Sequence, residues 1–236
     1  MSMINGLGRA NYTINNMHQT KAAQKKTAEM LASGKKINRA ADNAAGLAIA
    51  QKMQSQIKYL DASSENYSRK IDSNRIAEGA LSHIGETYND MYANSIRAMN
   101  GTMGAADKLA LKQANRALGV TAEHIANTTK YNEDYVLDDI NASFDVMSAD
   151  AISEASVSAV STRAKLGAEE NGLAHAVSIS EITAENTTAA MSRVEDTEIE
   201  KASSQNQANK LLGQVQTAML KNQMTFAEGI VTILPR

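Results

Sequence analysis

The sequence predicts a mainly α-helical fold, an elongated helical bundle with paired terminal coiled-coil helices and one small β-hairpin. Pro235 is the only proline among 236 residues, whereas average usage of about 5% predicts on the order of a dozen. Long helices can therefore run without the interruption that proline causes. Aromatic residues make up only 4% of the chain, so burial has to come from Ala, Leu, Ile, Val and Met, which suits thin helical bundles. Apolar residues also recur at seven-residue spacing, as in coiled coils.

The first half of the chain contains two predicted helices separated by a stop signal. Residues 1–32 carry a narrow apolar stripe with polar interruptions, at three- and four-residue steps. Its members are Ile4, Leu7, Asn11, Ile14, His18, Lys21, Ala28 and Leu31. Ser33 and Gly34 end this helix. Residues 43–99 form the longest predicted helix, about 80 Å at 1.5 Å per residue. Its seam repeats every seven residues, with Ile57 and Ile71 on the adjacent row: Met53, Leu60, Tyr67, Asn74, Leu81 and Tyr88.

The second half adds a turn, a hairpin and further helices. Asn-Gly and a second Gly in residues 100–104 predict a turn, and residues 105–128 resume a helical pattern. In 131–147, Tyr, Val, Ile and Phe alternate with Asp and Asn, which predicts a short β-hairpin. Helix returns over about 149–201. A final helix, 202–234, carries a second apolar stripe: Leu212, Val215, Met219, Asn222, Phe226, Ile230 and Ile233.

Both terminal helices therefore have an apolar stripe that is too narrow for a stable monomeric fold, since isolated helices with little burial are marginal in water. The two ends could pair with each other or with other subunits. Either arrangement indicates a protein that assembles.

Composition excludes several function classes. The net charge of −2 gives no basic field, so nucleic acid is not an expected partner. The sequence has no apolar run of about 18 residues, so we expect no membrane-spanning helix. The chain has no cysteine and its four histidines are isolated, which argues against a metal site, and no catalytic motif occurs. We expect no enzyme, metal or cofactor.

Several motifs resemble those of bacterial flagellins. Residues 31–57, "LASGKKINRAADNAAGLAIAQKMQSQI", resemble the N-terminal signature L-S-S-G-x-[KR]-I-N-x-A-x-D-D-A-A-G-x-A-I-A. "AEGALSHI" at 77–84 is similar to A-E-G-A-L-N-E-I. "RAKLGAEENGLAHAV" at 163–177 and "SRVEDTEIEKA" at 192–202 resemble the C-terminal family motifs. The likeness is present at both ends and covers nearly the whole chain.

The resemblance implies that the termini pair as a coiled coil lining a filament channel, with a helix bundle and a small hairpin in the next layer. Residues near 33–46 would form a spoke between the layers, where small side chains and polar contacts of Arg39 and Asp42 let neighbours pack closely. The implied domains are an inner core of 1–42 and 197–236, an outer core of 43–130 and 151–196, and a hairpin region of 131–150. The implied assembly-interface residues are Ile4, Leu7, Ile14, Leu31, Arg39, Asp42, Leu212, Val215, Met219, Phe226, Ile230 and Ile233.

The implied function is that of a structural subunit, exported through the flagellar type III pathway and polymerised into the extracellular flagellar filament for motility. Its terminal stripes would be disordered in the monomer and fold on assembly. The implied partners are further copies of the chain, an export chaperone, and the hook-associated and cap proteins. A hook–filament junction adaptor shares the same terminal helices and is the alternative.

Two departures from the family pattern carry expectations of their own. Only 131–147 separates the two family-like halves, so the chain would be a core-only flagellin without the variable outer domains. The family segment Q-R-x-R-E-L-A becomes "NDMYANS" at 89–95. The segment has Asn89, Asp90, Tyr92 and Asn94, with Asp90 in place of an Arg and Asn94 in place of a Leu. We therefore expect only weak binding to the flagellin-sensing Toll-like receptor, because charge reversal at a contact is costly.

Overall fold

The structure is a computed structural model that describes residues 2–137 and 148–233, and the side-chain surroundings of 8–137 and 148–225. The described chain contains five helices and one hairpin, which confirms the predicted mainly α-helical fold. The elements are α1 (Ser2–Ser33), α2 (Ala44–Ala98), α3 (Ala105–Thr128), β1 (Lys130–Tyr131), β2 (Asp134–Tyr135), α4 (Ala149–Glu195) and α5 (Ile199–Ile233). Of the predicted hairpin at 131–147, residues 138–147 lie outside the described residues.

The chain divides into two compact units. The terminal unit contains Met1–Ile57 and Glu185–Arg236, and the central unit contains Lys58–Ala184. Helices α2 and α4 each contribute residues to both units.

The core of the central unit is built from α2, α3, α4 and the segment after the hairpin. Leu81, Ile84, Met91 and Ile152 are its fully buried large side chains, and small residues such as Ala122 let the helices approach closely. The predicted seven-residue seam of α2 is buried at Asn74, Leu81 and Tyr88, as is Ile71 on the adjacent row, whereas Met53, Leu60 and Tyr67 are half-buried. Burial raises the pKa of Tyr88 above its ordinary value.

The hairpin is held in place by its turn and by the residue that follows it. Asn132 and Glu133, with φ of 48° and 77°, supply the left-handed conformation that a two-residue type I′ turn requires at both central positions. Leu137 is 5% exposed and packs into the core of the central unit. Leu137 therefore anchors the hairpin segment to the core, although each strand has only two residues.

Ion pairs on the surface of the central unit join α2 to α4. Arg75 on α2 pairs with Glu170 on α4 at 2.7 Å, and Glu78 on α2 pairs with Arg163 on α4 at 3.3 Å. The α4 residue number falls as the α2 number rises, so the two helices run antiparallel within this unit.

Candidate assembly surface

Helices α1 and α5 pack against each other in the terminal unit through a row of polar residues, which we call the polar seam. On α1, threonines recur at seven-residue spacing, the period of coiled-coil contacts. Each faces a side-chain amide of α5, and the partner's number falls as the threonine's number rises, so the pair is antiparallel. The three contacts are Thr13 with Gln223 at 3.4 Å, Thr20 with Gln216 at 3.0 Å, and Thr27 with Asn206 at 3.4 Å.

The threonines of the polar seam are also bonded to their own helix. The hydroxyls of Thr13, Thr20 and Thr27 each donate to the backbone carbonyl four residues earlier, at 3.0, 2.9 and 3.1 Å. Thr20 in turn accepts from the Nε2 of Gln216. A neutral hydrogen bond contributes about 0.5–1.5 kcal/mol net, less than a fully buried Leu at about 1.5–3 kcal/mol. The seam thus fixes the register of the two helices more than it stabilises them.

The apolar stripe of α5 lies outside this contact. Leu212, Val215 and Met219, which we call the outer stripe, are 51%, 54% and 52% exposed. On a helix of 3.6 residues per turn they lie roughly a quarter of a turn from the row that contains Gln216. The outer stripe is therefore open in the single chain. The predicted interface residues Phe226, Ile230 and Ile233 lie on α5, and their side chains are outside the described set.

The stripe predicted on α1 is only partly in the contact with α5. Ile14 and Leu31 are half-buried, whereas Asn11, His18 and Lys21 are exposed. Ile4 and Leu7 lie on α1, and their side chains are outside the described set.

A cleft of about 560 Å³ opens between α1 and α5 beside the outer stripe. It is lined by Gly8, Arg9, Tyr12, Thr13 and Asn16 of α1 and by Gln216, Met219 and Gln223 of α5. The ring of Tyr12 is 70% exposed. The cleft has a mostly polar lining, and its Met219 also belongs to the outer stripe, whose exposed apolar side chains are the kind of surface that proteins use to bind one another.

The connections at the base of α1 and α5 are joined by backbone hydrogen bonds, which we call the clamp. Gly34, with φ of 71°, ends α1 as the sequence predicts, because only glycine adopts this left-handed conformation without strain. The Lys36 N–H donates to the Glu195 carbonyl at 2.7 Å, and the Thr197 N–H donates to the Gly34 carbonyl at 2.9 Å. The Lys35 ammonium pairs with the Glu195 carboxylate at 2.8 Å.

Arg39 and Asp42, predicted as spoke contacts, bind α1 of the same chain. The Nε and Nη2 of Arg39 both donate to one carboxylate oxygen of Glu29, at 3.1 and 2.6 Å. Asp42 pairs with the Lys26 ammonium at 2.9 Å and accepts from the backbone N–H groups of Asn38 and Arg39. The Lys26 bond, supported by these N–H groups, holds the pKa of Asp42 below its ordinary value.

The small residues between positions 40 and 50 are buried at some positions and exposed at others. The Asn43 side chain caps α2 by accepting from the Gly46 N–H at 2.9 Å. A Cβ at position 46 would lie 2.7 Å from both Asn43 Nδ2 and Ile37 Cδ1, so any larger residue would force these two side chains to shift. Ala50 is likewise buried. The alanines on the outward side are exposed: Ala40, Ala41, Ala44, Ala45 and Ala48.

The segment predicted to alter receptor recognition lies on the surface of α2. Asn89, Asp90 and Tyr92 are exposed, while Met91 between them is buried in the core. Asn94 is half-buried and its amide oxygen accepts from Arg97 at 3.3 Å.

Two further properties of the described residues concern metal binding and membrane insertion. In 2–137 and 148–233, no cluster of three or more His, Cys, Asp or Glu side chains has the arrangement of a metal site. Over the same ranges, none of the helices combines the length and hydropathy needed to cross a membrane.

The comparison with known families decides the family. The model of the bacterial flagellin N-terminal helical region matches residues 4–142, which is more than half of the chain. The chain belongs to the bacterial flagellin family. It is a structural subunit of the extracellular flagellar filament, as the motifs predicted.

Similar proteins agree with this assignment. The flagellin of Halalkalibacterium halodurans is 29% identical over 89% of this chain and 91% of its own. The flagellin of Bacillus subtilis is 27% identical over 94% of this chain and 96% of its own. The flagellar filament 31.3 kDa core protein of Treponema maltophilum is 28% identical over 91% of this chain and 93% of its own. These relatives do not favour the alternative of a hook–filament junction adaptor.

Proposed function

We propose that this flagellin polymerises through the outer stripe of α5 and the adjoining face of α1, while the polar seam holds the two terminal helices together within each subunit. The observation that carries the proposal is the exposure of Leu212, Val215 and Met219, each about half-exposed, beside a cleft that Met219 also lines. When a second copy covers these three apolar side chains, their removal from water stabilises the assembly.

In this proposal one face of α5 sets the register within the subunit and the other binds a second subunit, and this difference has a physical reason. Hydrogen-bonded residues such as Thr20 and Gln216 specify one register, because a shift would leave polar groups without partners. Apolar contacts supply most of the free energy of burial but little directionality. A polar seam inside the subunit therefore leaves the apolar surface free for contacts between subunits.

The remaining implied interface residues are included in this proposal. Ile4, Leu7, Ile14 and Leu31 would extend the contact along α1, and Phe226, Ile230 and Ile233 would extend it along α5. Arg39 and Asp42 would act indirectly, by fixing the spoke against α1 through Glu29 and Lys26. The domain boundaries implied by the resemblance, with the inner core at 1–42 and 197–236, belong to the same proposal.

The finer partner assignments follow from this surface. An export chaperone would cover the outer stripe before assembly, and hook-associated and cap proteins would contact the terminal helices at the ends of the filament. Toll-like receptor binding would be weak, because Asp90 is exposed where the family has a basic residue. We propose no catalytic activity and no cofactor for the chain.

The test is salt-induced polymerisation of the purified full-length chain, followed by electron microscopy, and repeated with residues 203–236 deleted. Long helical filaments from the full-length chain and none from the deletion variant are the expected result. Soluble monomers or short rings from the full-length chain would contradict the proposal and favour the junction adaptor. For the receptor assignment, a cell reporter assay should give weak signalling, and ordinary flagellin potency would refute it.

A further inference from the structure

The turn that joins α2 to α3 contains two neighbouring residues that can react with each other. Asn100 and Gly101 are both exposed and lie between the end of α2 at Ala98 and the start of α3 at Ala105. An asparagine that precedes glycine can lose its side-chain amide, because the next backbone nitrogen lies near the side-chain carbon and glycine has no side chain to obstruct the attack. The turn is therefore a candidate site of chemical modification.

The hydrogen bonds of this turn favour such an attack. The side-chain oxygen Oδ1 of Asn100 accepts two hydrogen bonds from Thr102, at 3.1 Å from its backbone N–H and at 2.9 Å from its hydroxyl. Donors in these positions stabilise the negative charge that the oxygen acquires when the side-chain carbon is attacked. Within the described residues, the N–H of Gly101 donates to no backbone carbonyl, so its nitrogen is not held by the acceptor that a helix would supply.

The same dipeptide occurs elsewhere in the chain in a different conformation. The sequence has Asn-Gly pairs at 5–6, 100–101 and 171–172, and the first and last of these lie within α1 and α4. Asn171 and Gly172 are exposed, like the pair in the turn. In an α-helix, however, the N–H of Gly172 bonds to the carbonyl four residues earlier, and the Asn171 side chain tilts toward the helix N-terminus, away from the next residue. The two pairs are thus matched in exposure and differ in conformation.

We propose that Asn100 is a site of spontaneous deamidation, for which the turn itself supplies the nucleophile. The Gly101 nitrogen forms a bond to the side-chain carbon of Asn100, the bond from that carbon to Nδ2 breaks, and Nδ2 leaves as ammonia with the proton that Gly101 gives up. Water then opens the resulting succinimide ring. Opening at the former side-chain carbonyl gives aspartate, whereas opening at the backbone carbonyl gives isoaspartate. The reaction consumes water, releases ammonia and requires no oxidant or reductant.

Both products change the connection between α2 and α3. Each adds a negative charge just before the N-terminus of α3, on a chain whose formal net charge is −2, and a helix N-terminus stabilises such a charge. Isoaspartate also lengthens the backbone of the turn and replaces the Asn100 carbonyl, which accepts from the Met103 N–H at 3.3 Å, with a free carboxylate. Older copies of the chain would therefore differ from new ones in charge and in the geometry of this turn.

The experiment incubates the purified full-length chain at neutral and mildly alkaline pH and follows the Asn-Gly pairs by peptide mass spectrometry, with isoaspartate detected by enzymatic methylation. We expect Asn100 to deamidate, and to do so faster at higher pH because the Gly101 nitrogen must lose its proton. Asn171 should react roughly a hundredfold more slowly, as for reacting atoms held about 1 Å out of place. In the chain unfolded in guanidinium chloride, the two asparagines should react at similar rates.

Two variants test the geometry of the turn. Gly101→Ala adds a Cβ that meets no atom within 4 Å, so the fold should be retained in circular dichroism while the obstructed reaction slows. Thr102→Val keeps the backbone donor, removes the hydroxyl and should slow the reaction roughly threefold to tenfold, the effect of one hydrogen bond.

Two results would overturn the inference. One is an intact Asn100 in the folded chain after a period in which the unfolded chain has reacted there. The other is an equal rate for Asn100 and Asn171 in the folded chain. An unchanged rate for Thr102→Val would refute the role given to its hydroxyl. None of these measurements depends on polymerisation, so the inference is tested separately from the proposed function.

Discussion

The outer stripe of α5 offers the sharpest test of how subunits associate. The triple variant Leu212→Gln, Val215→Thr and Met219→Gln replaces its three side chains with polar ones that a helix tolerates. Full burial of such a side chain contributes about 1.5–3 kcal/mol, and each is about half-exposed. Roughly 1 kcal/mol per residue, or about 3 kcal/mol in all, is therefore still available on assembly. Since 1.4 kcal/mol corresponds to a tenfold change, the critical concentration for polymerisation should rise roughly a hundredfold.

The assay needs a matched control and a measurement on the monomer. Met224→Gln changes a side chain on α5 that is 57% exposed but lies on the other flank of the helix, so it should change the critical concentration severalfold at most. Monomer unfolding should change by no more than about 0.5 kcal/mol per site, as for other surface substitutions. If the triple variant polymerises like the wild type, or if Met224→Gln matches its effect, the outer stripe is not the contact between subunits.

Three further predictions concern the terminal unit. Gly46→Ala places a Cβ 2.7 Å from two side-chain atoms and should destabilise the fold by about 1–3 kcal/mol in thermal unfolding. The control Gly79→Ala, whose Cβ meets no atom within 4 Å, should stabilise the fold by roughly 0.5–1 kcal/mol. Equal effects of the two substitutions would contradict the packing argument. Gln216→Leu should strengthen the α1–α5 contact by about 1 kcal/mol, because it removes an amide oxygen that is buried without a partner; a loss of helical circular dichroism would refute this. Because Lys26 and backbone N–H groups lower the pKa of Asp42, its stabilising effect should be complete above its ordinary value of 3.8 and disappear as the pH falls through the lowered pKa. Asp42→Asn should abolish that part of the acid dependence, and an identical acid profile for both proteins would argue against the assignment.

The seam of α2 shows how much of the fold the sequence could predict. Leu81 and Tyr88 recur at the coiled-coil period, and both are buried as expected. The helix limits, 43–99 in the prediction and Ala44–Ala98 in the structure, agree because a glycine-rich turn follows and a capping asparagine precedes. Local chemistry of this kind is readable without knowledge of the tertiary contacts.

The terminal helices show where sequence reasoning is insufficient. A search for apolar periodicity finds Leu212 and Val215 but passes over the row that contacts α1, because Thr20 and Gln216 carry no hydrophobic signal. The only available clue was the seven-residue spacing of Thr13, Thr20 and Thr27 on α1. Such a pattern gains meaning only when the register of the partner helix is known.

The spoke was predicted in part for a similar reason. The resemblance selected Arg39 and Asp42 but not their partners Glu29 and Lys26. Those partners lie ten and sixteen residues earlier in the sequence, across a reversal of the chain at Gly34. No local propensity specifies ion pairs at such separations.

The clamp between Gly34, Lys36, Glu195 and Thr197 also bears on the kinetics of folding. It places the base of α1 beside the base of α5, so the long intervening chain no longer has to be closed when these helices meet. Each successive contact of the polar seam then closes only a short additional loop, beginning with Thr27 and Asn206 and ending with Thr13 and Gln223. Pairing of the terminal helices should therefore proceed as a zipper from a fixed end, and any substitution that weakens the clamp should slow the whole sequence of steps.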